Sequence, residues 1–220
     1  MLNSQKNILK KIIATSFLLF LTFFLELISR YTINFGSSCE YSLFKIELIF
    51  IILIGFLFGF KYSFFASLAY LVIHYAFEYF IMEILLSSHK HNHDQNFKFQ
   101  IFIYKFFLPY VVCCISGLFY QKKRNQLFEK WSLIVALTII SIVQISASIL
   151  FIDLLKEHFL EDQSAILTKI MKSIGYSDLL NVIYSFLSVI INNLFIGVLL
   201  YLINFRLKDK LNFLYNFTTN

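Results

Sequence analysis

Charge is scarce in this sequence: Asp, Glu, Lys and Arg make up 15% of its 220 residues, against 59% apolar residues. A soluble chain this short keeps much of its surface in water and has no core large enough to hide so much apolar side chain. Proline is nearly absent too, with Pro109 alone, so no Pro-rich linker divides the chain, and neither low-complexity segments nor long internal repeats are visible. The three cysteines, Cys39, Cys113 and Cys114, are an odd set with two of them adjacent in an apolar run, a pattern that indicates neither a disulfide framework nor a CxxC site. HExxH, GxSxG, the P-loop and a paired-glutamate intramembrane protease signature are all missing. The chain is therefore expected not to be an enzyme and to need no cofactor. Without an ATP-binding motif, a transporter of this size is passive, ion-coupled or driven by separate subunits.

What the sequence does have is phenylalanine, 28 of them, and long uninterrupted apolar runs without strand-like alternation. Only helices and closed barrels satisfy their backbone inside lipid, and these runs favour helices. The expected fold is all-α: one integral membrane domain over residues 1–220, with six transmembrane helices near 12–28, 43–60, 64–86, 99–120, 131–155 and 179–205. Each is close to the roughly 20 residues a span requires. The first follows Lys6, Lys10 and Lys11 as a secretory signal would. It is longer than a signal core, however, carries Glu26, and meets Arg30 without a small-residue cleavage site. A tight turn is expected at Lys61, and a polar, amphipathic stretch from Lys156 to Ser177 separates helices five and six.

The cations fall in short clusters between the apolar runs, which argues for topology signals and against a nucleic-acid surface. Lys6, Lys10, Lys11, Lys61, Lys122, Lys123, Arg124, Lys130, Arg206, Lys208 and Lys210 would lie on one side of the membrane. The other side would hold Arg30, Lys90, Lys98, Lys156, Lys169 and Lys172. The positive-inside rule then predicts cytoplasmic N- and C-termini.

Ionisable groups inside a span are costly and stand out for that reason. Lys45, Glu47 and Glu83 sit near helix ends, where snorkelling explains them. Lys105 is deeper, on a helix that also offers Tyr104 and Tyr110, and Glu26 is deep enough to want a partner from another helix, with Lys45 or Lys105 as possibilities. His74 and Glu78 are four apart and share a face, able to hydrogen-bond or to contribute to a metal site. Tyr70, Tyr75 and Tyr79 offer aromatic faces on the same helix, and the loop carrying His89, His91, His93 and Asp94 has the donors of a transition-metal site or of a merely solvated segment.

In helix four, Gln100 to Pro109 (QIFIYKFFLP) followed by Ser116 to Lys122 (SGLFYQK) resembles the QxFLEY…P…AGLFxQK pattern of the substrate-binding S components of energy-coupling-factor transporters, nearest the thiamine-specific branch. Phe35-Gly36 followed by Glu47, the stretch Ile145 to Phe151, and Tyr176-Ser177 with Asn181 resemble further motifs of that family in the same order, over about 150 residues. The resemblance implies six helices whose outer ends enclose a vitamin-like cargo, in the plasma membrane of a bacterium. It also implies a transmembrane coupling subunit and two cytoplasmic ATPases as partners, which topple the S component to release cargo inside. The substrate-binding residues implied are Glu47, Tyr75, Tyr104, Lys105, Gln144, Tyr176 and Asn181. The sequence departs from the branch where Ser37 replaces a tryptophan, Lys105 or Tyr104 replaces the helix-four glutamate, Gln144 replaces a histidine, and Leu18 interrupts the Ala14 and Ser16 small-residue stripe of helix one. Thiamine or a related precursor is the cargo named by the resemblance; a metal-dependent membrane enzyme using His74 and Glu78, or an accessory membrane subunit without ligand, are the other readings.

Overall fold

The computed structural model describes residues 2–32, 45–86, 99–100, 102–120, 128–161 and 178–219, and among these every element is helical. Helix α1 is Leu2–Thr32, α2 Leu48–Phe58, α3 Phe60–Leu86, α4 the composite Phe102–Phe119, α5 Lys130–Glu161 and α6 Asp178–Thr219. Among the described residues four stretches are long and apolar enough to cross a bilayer: Gln5–Ile28, Phe102–Phe119, Lys130–Phe151 and Phe186–Arg206. Their outward faces carry large apolar side chains, among them Phe17, Phe20, Phe24, Ile142, Leu194 and Phe205, the surface expected where lipid is the solvent.

Helix α2 is the centre of the bundle. Its sequence LIFIILIGFLF has no polar side chain, and a helix apolar all round belongs inside. Leu48, Ile51, Ile52, Ile54 and Phe56 are buried, with α1, α3, α4 and α6 packed around them. At 11 residues it is about 16 Å long, well short of a bilayer core of about 30 Å. This is shorter than the expected 43–60. The chain enters α2 through a turn in which Leu48 N–H donates to the Lys45 carbonyl and Ile49 N–H to that of Ile46.

The break between α2 and α3 is at Gly59, not at Lys61, and α3 begins four residues before the expected 64. Gly59 has φ +92° and ψ 176°, a region open essentially to glycine alone, which lets one residue reverse the chain. Its N–H still donates to the Gly55 carbonyl, and Ser63 N–H to the Gly59 carbonyl. Ser63 Oγ then donates to Ile51 O at 3.1 Å, which ties the start of α3 back along α2.

Helix α4 changes its winding along its length. Phe102–Phe107 is π-helical, Leu108–Val111 α-helical and Val112–Phe119 3₁₀-helical. Pro109 supplies the cause of the first change: it has no N–H for the carbonyl of residue 105, and its ring crowds that carbonyl, so the preceding turn opens. At the other end Gly117 lies against the α2–α3 turn so closely that a Cβ there would overlap the backbone of Phe60 and Gly59. Gly55 faces Ser116 in the same way, and Ser116 Oγ donates to Ile52 O at 3.0 Å. Small residues here permit backbone-to-backbone packing, the means by which helices associate in lipid. The Ser116-Gly117 pair of the SGLFYQK string is therefore a packing element, while Leu118 faces outward.

Helices α5 and α6 form a hairpin beside this core. On α5, Thr138, Ser141, Ser146 and Ser148 each donate to the carbonyl four residues back. Trp131, 76% exposed, stands at the start of α5 beside Lys130, a pairing suited to the membrane–water boundary.

Candidate functional site

Five buried polar side chains, Glu26 of α1, Glu47 at the start of α2, Tyr70 and His74 of α3 and Tyr110 of α4, converge on one cluster at the Glu47 end of α2. Tyr70 and His74 are one turn apart on the inner face of α3. Tyr70 Oη donates to Glu26 Oε2 at 2.6 Å, and His74 Nδ1 lies 2.7 Å from Glu26 Oε1, so both oxygens of this α1 carboxylate are engaged by α3. Glu26 thus finds partners on another helix, as its depth demands, in Tyr70 and His74.

Tyr110, the residue after the only proline, completes the cluster from α4. Its ring stacks on Tyr70 with centroids 4.9 Å apart and planes at 23°, and the two phenol oxygens are 3.5 Å apart. Tyr110 Oη donates to Glu47 Oε1 at 2.8 Å. The second oxygen, Glu47 Oε2, is buried and has no hydrogen-bond partner among the described residues. The result is two hydrogen-bonded groups, His74–Glu26–Tyr70 and Tyr110–Glu47, joined through the stacked Tyr70 and Tyr110 rings in an apolar interior. Phe23 packs on Tyr70 at 4.9 Å and Phe106 on His74 at 4.9 Å, which walls the cluster with rings.

A cation is already present. Lys45 Nζ lies 5.0 Å from the Tyr110 ring centroid and 5.8 Å from that of Phe106, both within the range of cation–π attraction. The ammonium thus rests on two ring faces, one of which, Tyr110, donates its hydroxyl to the Glu47 carboxylate. Such an arrangement favours cations over anions, because buried negative charge needs a positive partner in low dielectric.

Of the residues expected at the site, Glu47 is central and 4% exposed. Gln144 is buried on α5 next to the cluster: its Nε2 donates to Pro109 O at 3.1 Å, and its Oε1 accepts from Asn193 Nδ2 at 2.9 Å. Asn193 also donates to Ser141 Oγ at 2.8 Å, so this second polar group ties α4, α5 and α6 together. Tyr75 is 50% exposed and rests edge-on against Phe102 at 5.0 Å, on the outward flank of α3. Tyr104 is half-buried in the π segment. Tyr176 and the loop with His89, His91, His93 and Asp94 lie outside the described residues, as do the side chains of Lys105, Glu78 and Asn181.

Tyr70, Tyr110 and Asn193 were not singled out as site residues from sequence. A signal existed for Tyr70: it shares a helix face with His74, whereas Tyr75 is turned about 100° from it. No three His, Cys, Asp or Glu side chains come together in a metal-binding group among the described residues. No family model matches the chain, and neither a curated protein nor a solved structure matches it.

Proposed function

We propose that the protein is the substrate-binding S component of an energy-coupling-factor uptake transporter in a bacterial plasma membrane. It captures a vitamin-like cargo, thiamine or a related precursor, and works with a transmembrane coupling subunit and two cytoplasmic ATPases. The observation that supports this most is the cage of Tyr70, Tyr110, Phe106, Glu26 and Glu47, which combines ring faces with carboxylates as recognition of an aromatic cation requires. The carboxylate that the thiamine branch carries on its fourth helix is missing here, and Glu26 and Glu47 supply negative charge to the same neighbourhood from α1 and the start of α2.

With both termini in the cytoplasm, six crossings put the C-terminal part of α1 and the start of α2 at the outer face. The cage then lies at the end of the bundle nearest the side from which cargo arrives. The energy for release comes from the separate ATPases.

A second reading, an accessory subunit without ligand, is favoured by how closed the cage is. Tyr70 is 0% and Tyr110 2% exposed, as ordinary core residues would be. Vesicle uptake of labelled thiamine separates the two. Co-expression of the full chain with a coupling subunit and ATPases should give ATP-dependent accumulation above that of the partners alone, and Tyr110→Leu should abolish it. Uptake that is the same with and without the chain would remove the transport reading.

A further inference from the structure

The closed cage and its resident ammonium have one explanation that reconciles them with solute binding. We propose that Lys45 is a built-in occupant of the cage, holding the place of a solute's positive charge, and that an organic cation binds by displacing it. This rests on reading the cage as the binding site.

The backbone of Lys45 is fixed, because its carbonyl accepts the N–H of Leu48 in the turn that opens α2. Its side chain is a flexible four-carbon stem with a compact charge at the tip. That tip rests on the faces of Phe106 and Tyr110, rings one turn apart on α4. The contact is cation–π in kind, which an ammonium or a quaternised aromatic nitrogen reproduces equally well. Glu47, adjacent in space through Tyr110, keeps one buried oxygen without a hydrogen bond among the described residues, an acceptor for a ligand N–H or positive charge. Two cations at this spot would repel strongly in low dielectric, so solute and lysine exclude one another.

Self-occupancy lowers apparent affinity by the fraction of cages that are open. Removing the lysine charge while keeping its length should therefore tighten binding, the opposite of what deleting a ligand-contacting residue does. A neutral or anionic solute gains nothing from the change. Lys45 would then set both the charge selectivity and the ease of release.

The test is calorimetric titration of the detergent-purified full chain with phenyltrimethylammonium, in wild type, Lys45→Met and Lys45→Arg. Lys45→Met should bind at least about tenfold more tightly than wild type, and Lys45→Arg no more tightly. Equal or weaker binding by Lys45→Met, or no binding by any of the three, would overturn the proposal. If Lys45→Met fails to fold, amine-reactive labelling of Lys45 in the wild type, read by peptide mass spectrometry, gives the answer. Labelling should quicken when phenyltrimethylammonium is added, and an unchanged rate would overturn displacement. The two readings fail separately. A vitamin bound by wild type with no gain in Lys45→Met removes displacement alone, whereas a gain for the probe with no vitamin bound or transported removes the uptake reading alone.

Discussion

Each end of the helical core has a lysine lying over two aromatic rings, and the two ends are otherwise built differently. At the Gly59 end, Lys11 Nζ lies 5.6 Å from the Tyr62 ring and 5.7 Å from that of Tyr120. Lys11, like Lys45, is partly buried, and beneath it Gly55, Gly59, Ser116 and Gly117 bring backbones into direct contact. At the Glu47 end, Lys45 lies over Phe106 and Tyr110, and beneath it are buried carboxylates and phenols. Steric fit shapes the first end, since a Cβ at Gly117 would overlap the backbone of Phe60 and Gly59. Side-chain hydrogen bonds and charge hold the second, and those can be exchanged for the same interactions with a solute. The same lysine-on-rings contact is thus an interfacial anchor at one end and a displaceable occupant at the other.

The largest effect that would break this comparison is expected from Gly117→Leu. A side chain there overlaps the Phe60 and Gly59 backbone, so the cost should exceed about 3 kcal/mol and no monodisperse folded protein should be recovered on size exclusion. Recovery of folded protein would mean that the Gly59 end is not sterically fixed. Next comes Glu26→Leu, which strips both Tyr70 and His74 of their acceptor. It should cost about 3 kcal/mol, read as a lower thermal midpoint in detergent. Gly59→Ala should cost about 1–3 kcal/mol by forcing a Cβ into a backbone region that resists it, with the Tyr120 ring 3.2 Å from the new carbon. Lys11→Ala should be the mildest, below about 1 kcal/mol, because its contact is a cation–π one over no buried carboxylate among the described residues and is replaceable by lipid and water. A large loss from Lys11→Ala would erase the contrast with Lys45.

Much of this architecture is legible in the sequence. Uninterrupted apolar runs locate the helices, and the depth of Glu26 announces a partner on another helix. The central position of α2 is foreshadowed by the absence of any polar residue from Leu48 to Phe58. The turn at Gly59 is harder to see, because a glycine flanked by Phe58 and Phe60 looks like part of a span, and only its positive φ reveals the reversal.

The choice among tyrosines was the least legible. Tyr75 and Tyr104 are as plausible in a one-dimensional pattern as Tyr70 and Tyr110, because the answer depends on helix rotation. On α3 a constant 100° per residue separates Tyr70 from Tyr75 correctly once His74 is known to face inward. On α4 that count fails, since the π turns before Pro109 and the 3₁₀ turns after Val111 each change the angle per residue. The polar link Gln144–Asn193 escaped for another reason: it joins two helices about 50 residues apart in sequence through one pair of amides, and a lone Asn in an apolar run carries no mark of its partner.

The account's central claim is that the cage at the Glu47 end binds a solute, and calorimetry on the detergent-purified chain tests it most directly. Thiamine, its pyrimidine precursor, riboflavin, biotin and folate would be titrated into wild type and into Tyr110→Leu. Submicromolar binding of thiamine or its precursor by wild type, lost in Tyr110→Leu, is the predicted result. Silence across the panel, or binding that Tyr110→Leu leaves intact, would contradict it.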